Sequence, residues 1–96
     1  MAKVRVIARA VAQPGKATEL RNILQQLLAP TRDEQGCEYY DLFESNIPDL
    51  FYFDELWTTQ EDLDAHAASA HLKELIPMAN KIMAAPIEVN LLTLID

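Results

Sequence analysis

What most limits the folds open to this chain is the order in which its hydrophobic period changes. Residues 3–11, KVRVIARAV, alternate, with Val4, Val6, Ala8 and Ala10 on one face and Arg5, Ile7 and Arg9 on the other, which predicts a strand. Pro14-Gly15 breaks the alternation. From Lys16 the apolar positions Leu20, Ile23, Leu24, Leu27 and Leu28 recur at spacings of three and four, predicting a helix to about Pro30 or a little beyond. Gln35-Gly36 marks a turn before a second strand, CEYYDLFES, and Asn46-Ile47-Pro48-Asp49 a turn before a third, LFYFDELW over 50–57. The short connection suits an antiparallel hairpin, with Phe51, Phe53, Glu55 and Trp57 sharing one face. Thr58 and Thr59 each have an acid three residues on, Glu61 and Asp62, so a second helix should start near Gln60 and run to about Ala70. Residues 71–84 continue helically with Leu72, Leu75, Ile76, Ala79, Ile82 and Met83 inward, and Pro77 is expected to kink or split that stretch. Pro86 ends it, and IEVNLLTLI over 87–95 reads as a fourth strand.

The resulting order, β-α-β-β-α-β, is the ferredoxin-like α+β pattern, in which two helices cover one face of a four-stranded antiparallel sheet. The 96 residues are enough for one domain, 1–96, with half of them hydrophobic. A chain this small buries only about two thirds of its unfolded surface. Because the first, third and fourth strands carry apolar residues on both faces, the uncovered face is expected to meet the sheet of a second copy, giving a homodimer.

Several function classes are disfavoured. A formal charge of −7, from 8 Lys and Arg against 15 Asp and Glu, would repel a phosphate backbone, so no nucleic acid is expected. Two glycines cannot build a phosphate-cradling loop. Cys37 is the single cysteine, which excludes an internal disulfide and suits a small buried hydrophobe in a reducing compartment. No apolar stretch reaches the ~20 residues of a membrane span, and the first residues lack the hydrophobic region of a signal peptide, so a cytoplasmic protein is expected.

Three side chains draw attention as chemistry. His66 lies at the edge of an apolar helical stripe, where it could form a pocket wall as a general base or, equally, a half-exposed histidine paired with Asp62 one turn earlier. Glu55, flanked in the alternation by Phe53 and Trp57, needs a partner or a shifted pKa; His66, Arg5 and Arg9 are the candidates, and an arginine-paired carboxylate at an edge or interface is the plainer alternative. His71 is five positions beyond His66, about 140° round an ideal helix, so the two do not form the i, i+4 pair of a helical zinc site and no metal is expected; His71 is read as a residue at the kink between helix segments, with capping as its lesser role and lining the pocket mouth as its greater one. Trp57, Phe43, Phe51 and Phe53 could supply aromatic wall for a flat substrate, although a tryptophan ending a strand also suits the core.

Taken in order, VIARAVAQPGKATELRNILQQLLAPTRDEQGCEYYDLFES and FYFDELWTTQEDLDAHAASAHLKEL resemble the antibiotic biosynthesis monooxygenase family over nearly the whole chain. The most specific part is Glu55-x-Trp57-x5-Leu63-x2-His66-x4-His71, supported by Pro14-Gly15-Lys16 and Gly36-Cys37. The resemblance implies a dimeric α+β barrel, a homodimer with a small apolar pocket in each subunit. Members of the family include quinol monooxygenases, polyketide-oxidising enzymes, haem-degrading enzymes and enzymes that process phosphorylated autoinducer-2 products. The haem degraders carry an asparagine on the first strand where this chain reads Val6-Ile7-Ala8-Arg9, which argues against haem. The quinol and polyketide enzymes work without metal, flavin or haem, so the resemblance implies no cofactor and the oxidation of a small quinol or related aromatic by molecular oxygen. Such chemistry needs a base near neutrality in a dry pocket, the role given to His66, with Glu55 fixing its tautomer. The alternatives are an isomerase or lyase of a small carbonyl compound using the same base, and a non-catalytic ligand-binding or structural dimer of the same fold.

Overall fold

The computed structural model describes residues 2–96. Its elements are β1 (Val4–Val11), α1 (Ala17–Gln25), α2 (Leu28–Arg32), β2 (Cys37–Glu44), β3 (Leu50–Trp57), α3 (Gln60–Ala67), α4 (Ala70–Asn80) and β4 (Glu88–Leu92). The strands form one antiparallel sheet in the order β2-β3-β1-β4, the ferredoxin-like arrangement that the periodicities predict. Among the described residues no helix is long and apolar enough to cross a membrane.

The inner face of the sheet is built from alternate residues of β1 and β3. Val6, Ala8 and Ala10 stand opposite Glu55, Phe53 and Phe51, and all six are buried under the helices. Small alanines on β1 let the helices approach the sheet closely, while Phe51, Phe53 and Trp57 fill the volume on β3. The helical layer contributes Leu20, Ile23, Leu24, Leu27, Leu63, Leu75 and Ala79 to the same core.

Two helical stretches depart from their sequence expectations, each for a local reason. The first helix is two segments. Pro30 has no N–H to give the Gln26 carbonyl, so the chain tightens at Gln26 and Leu27, whose amides bond to Ile23 and Leu24 at 3.1 Å, and then restarts as α2. The second breaks at Ala68-Ser69, where Ser69 caps α4 by accepting from the Leu72 amide at 3.4 Å. Pro77 does not split α4, contrary to expectation: it lies on the exposed side, where water can solvate the carbonyl it leaves unpaired. Thr59 caps α3 as expected, accepting from the Asp62 amide at 3.1 Å.

β4 is shorter than the predicted 87–95. Its last pair is Leu92 with Arg5, and β1 offers only Val4 beyond that point, so Leu94 and Ile95 run free at 86% and 100% exposure. The outer face of the sheet is also less apolar than expected. Ile7, Tyr39, Phe43, Tyr52, Leu56 and Leu92 are interleaved there with Arg5, Arg9, Asp41, Asp54 and Glu88, and Arg5 reaches across to Asp54 at 3.0 Å.

Candidate functional site

Between the inner face of the sheet and the second helical pair lies a cavity of about 170 Å³. Its sheet side is Val6, Ala8, Tyr40, Phe53, Glu55 and Val89; its helical side is Leu27, Leu63, His66, Ala67, Leu72 and Ile76, with Ile87 at the approach to β4. The wall is thus apolar except for a phenol, a carboxyl and an imidazole. The helices leave the inner side of β4 uncovered, so Val89 lines the cavity while remaining half exposed and the pocket opens toward that edge.

His66 is the most constrained of the polar groups. It occupies the last turn of α3, is only 5% exposed, and its Nδ1 lies 2.7 Å from Oε2 of Glu34. Trp57 packs on one side of the ring with centroids 4.6 Å apart, and Tyr40 meets it edge-on at 5.4 Å. Two neighbours therefore fix the ring plane, and Glu34 fixes which nitrogen carries the proton: with Nδ1–H donated to the carboxylate, Nε2 keeps its lone pair. Burial holds the His66 pKa below its ordinary value despite the opposing pull of Glu34, so the ring is neutral at neutral pH.

Glu34 sits in the turn between α2 and β2, and two features bring that turn against α3. Gly36 adopts φ +78°, and a Cβ there would run into the Asp62 side chain, so the backbone approaches α3 as closely as only glycine permits. The Gly36 carbonyl accepts from the Thr58 amide at 2.8 Å, which ties the turn to the end of β3. Glu34 Oε2 also lies 2.8 Å from Nε2 of His71, so one carboxylate oxygen stands between two imidazoles. The ideal-helix argument that kept His66 and His71 apart does not hold, because the chain turns at Ala68-Ser69 and the two residues belong to different helices.

Glu55 differs from its sequence reading. Its partner is none of His66, Arg5 or Arg9 but the indole of Trp57, whose Nε1–H donates to Oε1 at 3.0 Å. At 5% exposure with one neutral donor, its carboxyl is pushed up to about 7, chiefly by burial and against the pull of that hydrogen bond. The site therefore holds a neutral imidazole beside a carboxyl that titrates near neutrality. Tyr40, buried beside them, is pushed above the ordinary phenol range by desolvation and stays protonated as a hydrogen-bond donor.

Of the aromatic residues expected to form the wall, Phe53 lines the cavity. Trp57 stands behind it, fully buried, and acts on it through Glu55 and His66. Phe51 is buried at the other end of the inner face, opposite Ala10, and belongs to the core. Phe43 is a correction: strand alternation from the buried Tyr40 turns it to the outer face, where it is 53% exposed. His71 reaches the Glu34 cluster from the first turn of α4 and does not line the cavity itself. Cys37 is half-buried rather than buried, and desolvation pushes its thiol up to about 11, away from nucleophilic use.

The profile of the antibiotic biosynthesis monooxygenase family matches residues 3–77. The chain belongs to this family. Among similar proteins, "Putative monooxygenase Rv0793" of Mycobacterium tuberculosis is 32% identical over 93 residues, covering 97% of this chain and 92% of that protein. Its solved structure superposes with a TM-score of 0.92 over 99% of this chain and 97% of that one. "Putative monooxygenase YcnE" of Bacillus subtilis is 28% identical over 78 residues, 80% of this chain and 82% of that protein. The crystal structure of PA3566 from Pseudomonas aeruginosa gives a TM-score of 0.91 at 28% identity, covering 100% of this chain and 97% of that one. Membership in the antibiotic biosynthesis monooxygenase family and the two putative monooxygenases among its relatives support a monooxygenase-like role.

Sequence reasoning missed Glu34, whose contacts to His66 and His71 span 32 and 37 residues. It lies in the polar run Thr31-Arg32-Asp33-Glu34-Gln35-Gly36, where neither helical nor strand periodicity distinguishes one acid from the next. The available signal was Gly36, a positive-φ turn that allows the backbone to press against a helix.

Proposed function

We propose that this protein is a cofactor-independent monooxygenase that oxidises a small quinol or related aromatic with molecular oxygen. The observation that carries this reading is the pairing of His66 with Glu34, which leaves Nε2 free on a neutral, buried imidazole that lines a cavity whose other polar groups are Tyr40 and Glu55. An electron-rich phenol gives up an electron to oxygen far more readily as its anion, so removing the hydroxyl proton is the step that a protein can accelerate without a redox group. His66 Nε2 takes that proton. Tyr40 and protonated Glu55 are the donors within the same wall for the resulting oxyanion.

The overall reaction balances without an external reductant. A hydroquinone and oxygen give a hydroxyquinone and water: one oxygen atom forms a bond to a ring carbon, the O–O bond breaks, and the substrate supplies all the electrons. A cavity of about 170 Å³ suits a single ring, being below the several hundred Å³ of pockets for drug-sized ligands. We also place the protein in the cytoplasm as a homodimer, with the outer sheet face and the exposed Leu92, Leu94 and Ile95 covered by a second copy. Sedimentation of the wild type at micromolar concentration tests the dimer, and a single species at the 10.8 kDa chain mass contradicts it.

The activity is tested by oxygen uptake with a panel of single-ring hydroquinones in chelator-treated buffer. The expected result is turnover by the wild type that falls about a hundredfold to ten-thousandfold in His66→Ala. No turnover of any quinol contradicts the proposal. Turnover of a carbonyl substrate without oxygen would establish an isomerase or lyase instead.

A further inference from the structure

Glu34, His66 and His71 place one carboxylate oxygen and two imidazole nitrogens within 4.8 Å of one another, from three different elements. We propose that these side chains form a binding site for one divalent transition-metal ion of the zinc class, and that its occupancy switches His66 off as the base of the adjoining cavity. The regulation rests on the catalytic reading above; the metal site does not.

The donor set is the first argument. Two imidazoles and a carboxylate are borderline ligands that suit zinc and its neighbours, and three protein ligands leave a position for water. Calcium and magnesium prefer cages of oxygen atoms and are a poor match. Geometry is the second. Glu34 Oε2 is 2.7 Å from His66 Nδ1 and 2.8 Å from His71 Nε2, so the three atoms already converge. Metal bonds of about 2.0–2.2 Å need ligand atoms somewhat more than 3 Å apart, an adjustment within reach of side-chain rotation at His71 and Glu34. Access is the third. The side chains of Glu34 and His71 retain 17% and 19% of their exposure, so an ion can enter from the α4 side without crossing the cavity. The molecule's formal charge of −7 draws cations toward it.

The dipoles of the two helices partly offset one another at this point. His66 is in the last turn of α3, where a cation is favoured, and His71 is in the first turn of α4, where it is disfavoured. The carboxylate between them supplies the compensating charge.

The consequence for His66 follows from the tautomer. In the metal-free protein Nδ1–H donates to Glu34 and Nε2 holds the free lone pair. A metal at Nδ1 takes the lone pair of that nitrogen, and a neutral imidazole so bound carries its proton on Nε2. The nitrogen left to the cavity then changes from acceptor to donor. The Nδ1 proton leaves to solvent and Nε2 takes one up, so the ring exchanges no net proton, and no atom is oxidised or reduced.

The test is calorimetric titration of the full chain with zinc sulfate after chelator treatment and dialysis, with no substrate present. The proposal predicts saturable binding of one zinc per chain at micromolar concentration or tighter, and weakening by at least about tenfold in both His71→Ala and Glu34→Gln. Circular dichroism checks that both variants are folded, and Glu34→Gln keeps the size of the side chain it replaces. No saturable binding by the wild type overturns the site, as does unchanged affinity in the folded variants, which would place zinc on unrelated surface acids. The regulatory half predicts that one equivalent of zinc moves the His66 Nε2 resonance from the unprotonated to the protonated range in nitrogen NMR; saturated protein without that change overturns the switch. All these readouts are independent of quinol turnover, so a failure here and a failure of the oxidase reading are distinguishable.

Discussion

The turn that carries Glu34 and the central strand that carries Glu55 handle a half-buried or buried carboxylate in opposite ways. Glu34 stands between two imidazoles at 2.7 and 2.8 Å and keeps some contact with water. Glu55, on β3 in the middle of the sheet, has a single neutral indole N–H at 3.0 Å and is nearly cut off from solvent. Both acids flank the packed, mutually tilted Trp57–His66 rings, yet only Glu34 meets partners that can themselves carry positive charge. The difference teaches that dielectric and partner, rather than residue type, assign the roles here. Glu34 is an anchor that holds an imidazole in one tautomer; Glu55 is a carboxyl whose proton is exchangeable near neutral pH.

Removing each acid should therefore move stability in opposite directions. Glu34→Ala strips two hydrogen-bond partners from the histidines and leaves a buried Nδ1–H unsatisfied, so we expect a loss of about 3–4 kcal/mol, read from urea unfolding at pH 8. A change of less than 1 kcal/mol would mean that the anchor is dispensable. Glu55→Gln should do the reverse. The folded-state pKa of Glu55, about 7, lies above its ordinary 4.5, so the native state binds this proton more tightly than the unfolded chain. The associated stability is fully present below about pH 4.5 and is lost as pH rises to about 7. A glutamine, which does not ionise but can still accept from Trp57, should be more stable than the wild type by about 2–3 kcal/mol at pH 8. The two proteins should converge below pH 4.5; a constant difference across that range would contradict the assignment. The smallest effect is expected for His71→Ala, about 1 kcal/mol, because its ring is partly solvated and Glu34 retains His66. A loss as large as that of Glu34→Ala would make His71, and not the carboxylate, the organising residue.

The same contrast marks what could be read from sequence. Glu55 was legible as an inward carboxylate because strand alternation with Phe53 and Trp57 fixes its face, and the burial that raises its pKa follows from that placement. Its partner was not legible, since Trp57 lies two residues along the same strand face and the bond depends on how the indole rotates. The ferredoxin-like order followed from the periodicities because each element buries one face against the same core. Helix interruptions did not, because Pro30 acts through a carbonyl four residues back and Pro77 is harmless on a solvated side. Glu34 was invisible for a different reason. Its role is created wholly by tertiary approach at Gly36 and by the turn at Ser69 that redirects His71.

The central claim is that the cavity is offered an unprotonated Nε2 by His66 because Glu34 holds the proton on Nδ1. Nitrogen-15 NMR of the imidazole side chains in chelator-treated wild type at pH 8, with Glu34→Gln to assign the coupling, tests it most directly. The account predicts a neutral His66 with its proton on Nδ1 and an unprotonated Nε2, and redistribution of that proton in Glu34→Gln. A proton resident on Nε2 in the metal-free wild type, or an imidazolium at that pH, would contradict it.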